Sequence, residues 1–535
     1  MKLEVEDLGH DRRDEFQTDD EENQAERVCD SQSDTDTDSD VSETSRVRTS
    51  TWPQSYKESL DRLTSVTPPS FSFLRGTNST GISTSFTSPI KRRQSDELDS
   101  PLGKPLISGT AIDREEEPYS TLPTNLSIST HTKSSISDLP PLSEQCSFSQ
   151  ALLNGINVLC GIGLLTTPYA VKEGGWLSLL LLLLFAIICC NTGILLQRCL
   201  QSSPGLRTYP DIGQAAFGAS GGLAISIMLY VELYASCVEF VIMMADNLST
   251  LFPDTSLTLA GIHLDSLQIF AITATLLVLP TAWLRDLSIL SYLSVGGVAT
   301  SILVVLCLLW VGVVDKVGFH PSGTALDVVN LPVSLGIYGF GFSGHSVFPN
   351  IYTSMKEPSQ FPSVIISSFA FCFFMYSGVA IFGFLMFGDS IKSQYTLNLP
   401  TQFVASKIAV WTAVVNPMTK YALTITPIAL SLEELMPSHR LRSCGVRIII
   451  RTILVISTLI VGLTVPFFGI VMALIGSLLA MIVAVIFPCV CYLKLLKGKL
   501  TKFQIVTCYS TILLGFVSGC LGTYSAVKKL ADKFI

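Results

Sequence analysis

A chain of 535 residues that is 48% hydrophobic and 15% charged, with mean hydropathy +0.48, carries more apolar surface than one water-soluble core can bury. Its charge is unevenly divided: residues 1 to 146 hold 28 Asp and Glu against 15 Lys and Arg, and residues 147 to 535 hold 15 against 20, within a net −8. This excludes a soluble enzyme core and a basic nucleic-acid-binding surface, and leaves a bilayer-embedded domain, 147 to 535, behind a polar segment, 1 to 146.

The segment 1 to 146 is rich in Ser, Thr and acids and poor in apolar runs, so it cannot offset the entropy of ordering and is expected to be a disordered cytosolic tail. Met1 to Asp20 has no apolar stretch, so the first span is expected to act as its own insertion signal. Asp30 to Asp40 places Ser and Thr before acids, as acid-directed kinases prefer, and Arg92-Arg93-Gln94-Ser95 suits a basic-directed kinase. Tyr119-Ser120-Thr121-Leu122 has the form that sorting adaptors read, so kinases and adaptors are the partners expected on the tail. Asn78, Asn125 and Asn247 stand in glycosylation sequons, but the first two lie in the tail and the third too close to the membrane, so no glycan is expected.

A helix needs about 20 apolar residues to cross hydrocarbon. By that rule the chain predicts eleven spans, near 148 to 170, 175 to 197, 223 to 250, 267 to 283, 288 to 313, 331 to 353, 363 to 387, 405 to 431, 448 to 467, 469 to 493 and 505 to 527. With the N-terminus in the cytosol, Arg198, Arg207, Arg285, Lys356, the arginines from Arg440 to Arg451 and the lysines from Lys494 to Lys502 fall on the cytosolic side. Lys172, Lys316, Lys392 and Lys407 fall opposite, and the odd span count puts the C-terminus there too. Most of the fourteen cysteines lie within spans in neither disulfide nor metal-ligand spacing and read as packing residues.

Two spans are interrupted in the same way. The first reads Asn157-Val-Leu-Cys-Gly161-Ile-Gly163-Leu-Leu-Thr-Thr-Pro168, and the sixth reads Gly339-Phe-Gly341-Phe-Ser-Gly344-His345-Ser-Val-Phe-Pro349. Gly/Pro-broken spans at corresponding places in two halves point to a substrate site at mid-membrane, and hence to a secondary transporter with five-plus-five inverted repeats and one appended helix, the LeuT-type plan. A channel would instead show rings of like residues, and the chain has no such repeat.

At Gly161, Ile162, Gly163 and Leu164 the backbone can unwind, leaving amides that attract a carboxylate. Pro168 and Pro349 lack an N–H and free the carbonyls of Leu164 and His345, which suit an ammonium. A site with both ends matches a zwitterion, with an α-amino acid the commonest such metabolite. Asn157, Gly161 to Leu164, Gly341, Gly344 and His345 are the expected substrate-binding positions. His345 could also titrate, since histidine's ordinary pKa is about 6.5.

Charged groups inside the bilayer are costly and default to function. Span three carries Glu232, Glu239 and Asp246 at intervals of seven, a stripe about 21 Å long on one helix face. Glu232 and Glu239 are expected to relay protons, and Asp246 to mark the lumenal helix end. In span eight Lys420 lies at a depth similar to Glu232, within reach of an ion pair, where it would supply a fixed positive charge in place of a sodium ion. No zinc pattern, phosphate loop or nucleophile elbow occurs, so neither an enzyme nor a cofactor is expected.

The run Asn157 to Ala170 followed by Gly174-Gly175-Trp176, the run Gly344 to Lys356, and Asn416-Pro417-Met-Thr-Lys420-Tyr-Ala-Leu resemble the first, sixth and eighth spans of the amino acid/auxin permease family. The nearest branch is the vacuolar amino acid transporters, related to the vesicular inhibitory amino acid transporter. That resemblance covers about residues 145 to 530 and implies eleven spans, a LeuT-type core and proton-coupled transport of neutral amino acids, commonly by antiport into an acidic vacuole. It also implies that Asn157 bonds the substrate or the unwound backbone. Proton symport out of the vacuole or at the plasma membrane, or amino acid sensing through the tail, are the other readings.

Overall fold

A computed structural model describes residues 146–259, 261–284, 296–320, 322–436 and 444–534. The kinase and sorting motifs, and the expected disorder of residues 1 to 145, lie outside the described residues, as does the start of the fifth span. All the described residues fall in one compact unit.

The first span is two helices. α1, Phe148–Leu159, opens at a capping box, with Ser147 N–H donating to Gln150 Oε1 at 2.8 Å and Gln150 N–H to Ser147 Oγ at 3.4 Å. It ends at Cys160, and α2, Gly163–Gly174, sets off at 46° to it. Gly175, at φ +75°, then turns the chain where any Cβ would strike the backbone of Ala325 and Leu326 at 2.8 Å. α3, Ser178–Leu200, returns across the bundle and exposes Leu180 and Ile187 on its outer face, as lipid contact requires.

α4, Tyr209–Phe217, falls where no element is expected from apolar content. Its signal is local: Thr208-Tyr-Pro210-Asp211 forms a capping box with Pro in the first turn. α5, Ala219–Leu251, is longer than its apolar run and carries the acidic stripe. A two-stranded antiparallel hairpin, β1 Leu257–Leu259 and β2 Ile262–Leu264, leads to α6, Ser266–Trp283. α7 follows as Gly297–Val313.

The sixth span is broken like the first, into α8, Leu331–Gly341, and α9, Phe348–Ser354, with six residues between them. α10 is Phe361–Phe387, α11 Val404–Glu434, α12 Cys444–Thr464, α13 Phe468–Leu495 and α14 Lys502–Phe534. Within α13 the turns from Gly476 to Ile486 widen into a π-helix. There α13 meets α8 backbone to backbone: an added Cβ at Gly336 or Gly476 would overlap the facing main chain, the close approach that small residues permit between membrane helices.

Seven of these helices are long and apolar enough to cross a membrane, and the bent pair α1–α2 makes an eighth candidate. α7 and α8 are shorter, and α11 carries Pro417, Pro427 and Lys420 within its 31 residues. Length and composition alone thus leave out the short α7 and α8 and the Pro-interrupted α11.

Candidate functional site

The two breaks lie against each other. A Cβ on Gly163 would sit 2.9 Å from the Cα of Gly341 and 3.2 Å from the Tyr376 hydroxyl, so only glycine lets the halves come this close. Tyr376 of α10 ties them: its buried hydroxyl donates to the carbonyl of Leu159 in the first break and lies 3.0 Å from that of Gly341 in the second. Ser301 of α7 donates to the Cys160 carbonyl at 3.2 Å, and Lys420 of α11 donates to the Asn157 carbonyl at 3.5 Å. These side chains stand in for lost helical hydrogen bonds, which hydrocarbon cannot supply.

Of the two carbonyls expected to wait for an ammonium, that of Leu164 is taken. Leu164 loses its partner at Pro168, but Thr167 Oγ1 donates to its carbonyl at 3.1 Å. Amides are freer: those of Ile162 and Gly163 have no backbone partner among the described residues, while Gly161 N–H bonds the Leu159 carbonyl at 2.8 Å.

Between the breaks, α5, α7 and α11 enclose a cavity of about 280 Å³. Asn157, Gly161, Ile162, Gly163, Leu164, Gly341, Glu232 and Lys420 all line it. Gly161 faces open space, with nothing within 4 Å of where a Cβ would lie. Glu232 is buried and accepts a hydrogen bond from Ser343 of the second break at 2.9 Å. The Glu232–Lys420 ion pair that their depth makes possible is absent among the described residues: the two face one space, each bonded to a different break. Phe240, Met243, Val304 and Ala413 give the rest of the wall an apolar character.

Three expected site residues are not on this wall. His345 and Gly344 lie behind it: His345 is fully buried, its Nε2 2.9 Å from Thr192 Oγ1 and 3.1 Å from the Cys189 carbonyl, and its ring rests on Phe348. It fastens the second break to α3. Gly344 makes room, since a Cβ there would meet Val158 and Phe348 at 3.0 Å. Glu239 is also fully buried and does not line the cavity.

Ser343, Ser301 and Tyr376 were missed in the sequence. Tyr376 had a signal, a polar tip midway along a phenylalanine-rich span, whereas a lone serine in a membrane helix gives none.

Among the described residues no cluster of three His, Cys, Asp or Glu could hold a metal ion. A second, shallower pocket of about 610 Å³ lies where α2 and α5 finish, lined by Tyr169, Lys172, Asp246, Ser249 and Lys392. Asp246 there accepts from Gln394 Nε2 at 3.2 Å, and Asn247, fully buried in its sequon, donates to Gln394 Oε1 at 2.7 Å.

Comparison with known proteins adds a family to this geometry. The family model described as transmembrane amino acid transporter protein matches residues 144–528. The chain is 60% identical to amino acid transporter AVT1D of Arabidopsis thaliana over 90% of its own length and 87% of the relative's. It is 51% identical to AVT1C of the same plant over 91% and 90% of the two chains. The vesicular inhibitory amino acid transporter of Xenopus tropicalis is 26% identical over 71% and 76%. Among solved structures, MhsT in complex with L-phenylalanine aligns over 69% of this chain and 98% of its own at 12% identity and TM-score 0.41. A Na+-coupled sialic acid symporter aligns over 70% and 88% at 12% identity and TM-score 0.43. The family match covers most of the chain. With its many apolar helices, the chain is a multi-pass membrane protein and belongs to the transmembrane amino acid transporter family.

Proposed function

We propose that the chain is a proton-coupled carrier of neutral amino acids, exchanging protons for substrate across the membrane of an acidic vacuole. The carrying observation is the cavity between the breaks, where free amides at Ile162 and Gly163 and the Lys420 ammonium share one space with the Glu232 carboxylate. The amides at the start of α2 and the lysine favour the substrate carboxylate. Glu232, rather than backbone carbonyls, takes the substrate ammonium. The apolar wall of Phe240, Met243 and Val304 suits an uncharged side chain. The relatives' names, amino acid transporters, point the same way.

Exchange follows from competition at Glu232. An ionised carboxylate holds an ammonium, and a protonated one does not, so substrate and proton occupy the carrier alternately. Lys420, fixed on the Asn157 carbonyl, supplies a positive charge without a sodium ion. The full plan is eleven crossings in two inverted halves plus α14, with the N-terminus cytosolic and the C-terminus lumenal. The paired breaks in α1–α2 and α8–α9 support this plan.

The test is purified full-length protein in liposomes, with pH gradients of each sign and a panel of labelled amino acids. Uptake should follow an acidic interior and reverse with the gradient. Uptake indifferent to both gradients would refute proton coupling.

A further inference from the structure

Glu239 has no structural use. Its side chain is fully buried, and neither carboxyl oxygen has a hydrogen-bond partner among the described residues. Unmet polar atoms in such a place cost about 1–3 kcal/mol each, and an unpaired charge costs more, so an apolar residue of similar shape would be the more stable choice.

Its position on α5 gives it a use. Ser236, one turn before it, and Met243, one turn after, line the substrate cavity. Asp246, three residues beyond Met243, lines the second pocket at the opposite end. The cavity thus runs past Glu239 along α5, and about 4.5 Å of helix rise, from Met243 to Asp246, parts it from the second pocket. Glu232, seven residues before Glu239, faces the cavity, and Asp246, seven after, faces the second pocket, each about 10 Å along the axis.

We propose that Glu239 is the occluded proton-holding group of this carrier, with Glu232 in the cavity and Asp246 in the second pocket marking the two entrances to it. The inference rests on the proton-coupled reading above and gives the proton that competes at Glu232 a resting place, Glu239, while substrate holds Glu232. When α5's neighbours open the Asp246 side, a proton passes from water there to the Glu239 carboxylate and forms a neutral carboxyl. When they open the cavity side, that O–H bond breaks and the proton passes to cavity water, leaving the carboxylate to be refilled on the return.

The groups packed around α5 leave Glu239 to this role. α6 has no titratable side chain. From α4, Tyr209 donates to the Val483 carbonyl at 2.6 Å. From α11, Lys420 holds the Asn157 carbonyl and Tyr421 shares a hydrogen bond of 2.6 Å with Thr458 of α12. Arg451 of α12 pairs with Glu433 at 2.9 Å, and Tyr395, in the turn Tyr395–Asn398, donates to the Val304 carbonyl at 3.0 Å. From α13, the Cys489 thiol interacts with that of Cys508 on α14. On α5 itself, Tyr234 donates to Ser457 at 2.9 Å. Lys392 stands beside Asp246, at the far entrance.

The experiment compares full-length wild type, Glu239→Gln and Glu239→Leu in liposomes, using labelled leucine, phenylalanine, glutamine and alanine. Two fluxes are read: exchange of labelled for unlabelled amino acid at equal pH, and accumulation driven by a pH gradient together with dye-reported proton movement. Both variants should keep exchange within about twofold and lose at least about tenfold in gradient-driven accumulation and proton movement, as expected when one coupling step is removed. Glu239→Leu, which leaves no polar atom unpaired, should also melt no lower than wild type. Wild-type accumulation in either variant overturns the proposal, as does loss of exchange in a variant that melts like wild type. A wild-type protein that exchanges amino acids but ignores the gradient would instead overturn proton coupling itself.

Discussion

Replacing Gly163 by alanine adds one methyl group where the two breaks touch. The added Cβ would lie 2.9 Å from the Gly341 Cα, a backbone atom that cannot swing aside, and 3.2 Å from the Tyr376 hydroxyl that ties the breaks. Carbon atoms are at ease near 3.5–4.0 Å, so the halves must part by about 0.6–1 Å. Overpacking of this kind costs about 1–3 kcal/mol. Parting the breaks also lengthens the Tyr376 bonds to Leu159 and Gly341, so the loss falls on the cavity as well as on stability. A penalty of about 1.4 kcal/mol in the substrate-binding form corresponds to a tenfold weaker Kd. Gly378→Ala is the control: it lies on α10 near Tyr376 with nothing within 4 Å of its Cβ position and does not line the cavity. Melting temperature and amino acid affinity of the two purified variants are the readouts. Gly163→Ala should lower both and Gly378→Ala neither. Wild-type affinity in Gly163→Ala would refute the claim that contact between the breaks shapes the site.

Lys420→Ala should leave the Asn157 carbonyl without its ammonium and reduce gradient-driven uptake at least about tenfold, with Lys420→Arg recovering part of it in the same flux assay. Lys529 of α14 pairs with the buried Glu173 at the end of α2, so Lys529→Ala should cost about 1–3 kcal/mol by thermal unfolding, discounted because the lysine is 28% exposed. Glu173→Gln combined with it should restore part of that loss. Asp327 accepts hydrogen bonds from Val329 N–H at 3.0 Å and from Asn330 N–H at 3.1 Å ahead of α8, and the Asn330 bonds hold its carboxyl below the ordinary range. Because that value is depressed on folding, the contribution is present above the ordinary carboxylate range and fades as pH falls through the depressed value. Asp327→Ala should therefore lower the melting temperature slightly at neutral pH and lose its effect in strong acid.

The breaks were legible because glycine and proline alter the backbone itself: Gly161 and Gly163 mark where α1 gives way to α2, with Pro168 lying inside α2, and Gly341 and Pro349 flank the gap before α9. Side chains that repair the breaks were not, because Tyr376, Ser301 and Ser343 come from other spans or carry no pattern, and only the fold brings them to the carbonyls and to Glu232. For the same reason His345 looked like a site residue. It sits within a break, but its ring turns to Thr192 and Cys189 on α3, away from the cavity. The heptad spacing of Glu232, Glu239 and Asp246 gave their shared face, yet not that one lines the cavity, one is sealed and one lines a second pocket. α4 and the β1–β2 hairpin escaped an apolar-span count because each is set by local turn chemistry rather than by hydropathy.

On the proposed reading, the space between the breaks is the amino acid site and Glu232 grips the ammonium. The direct measurement is equilibrium binding of the labelled neutral amino acid most strongly transported by wild type to purified Glu232→Gln and, beside it, to Thr192→Val, which loosens His345 without touching the cavity wall. Glu232→Gln should weaken binding at least about tenfold while melting like wild type, and Thr192→Val should bind normally. Normal affinity in Glu232→Gln would contradict the account.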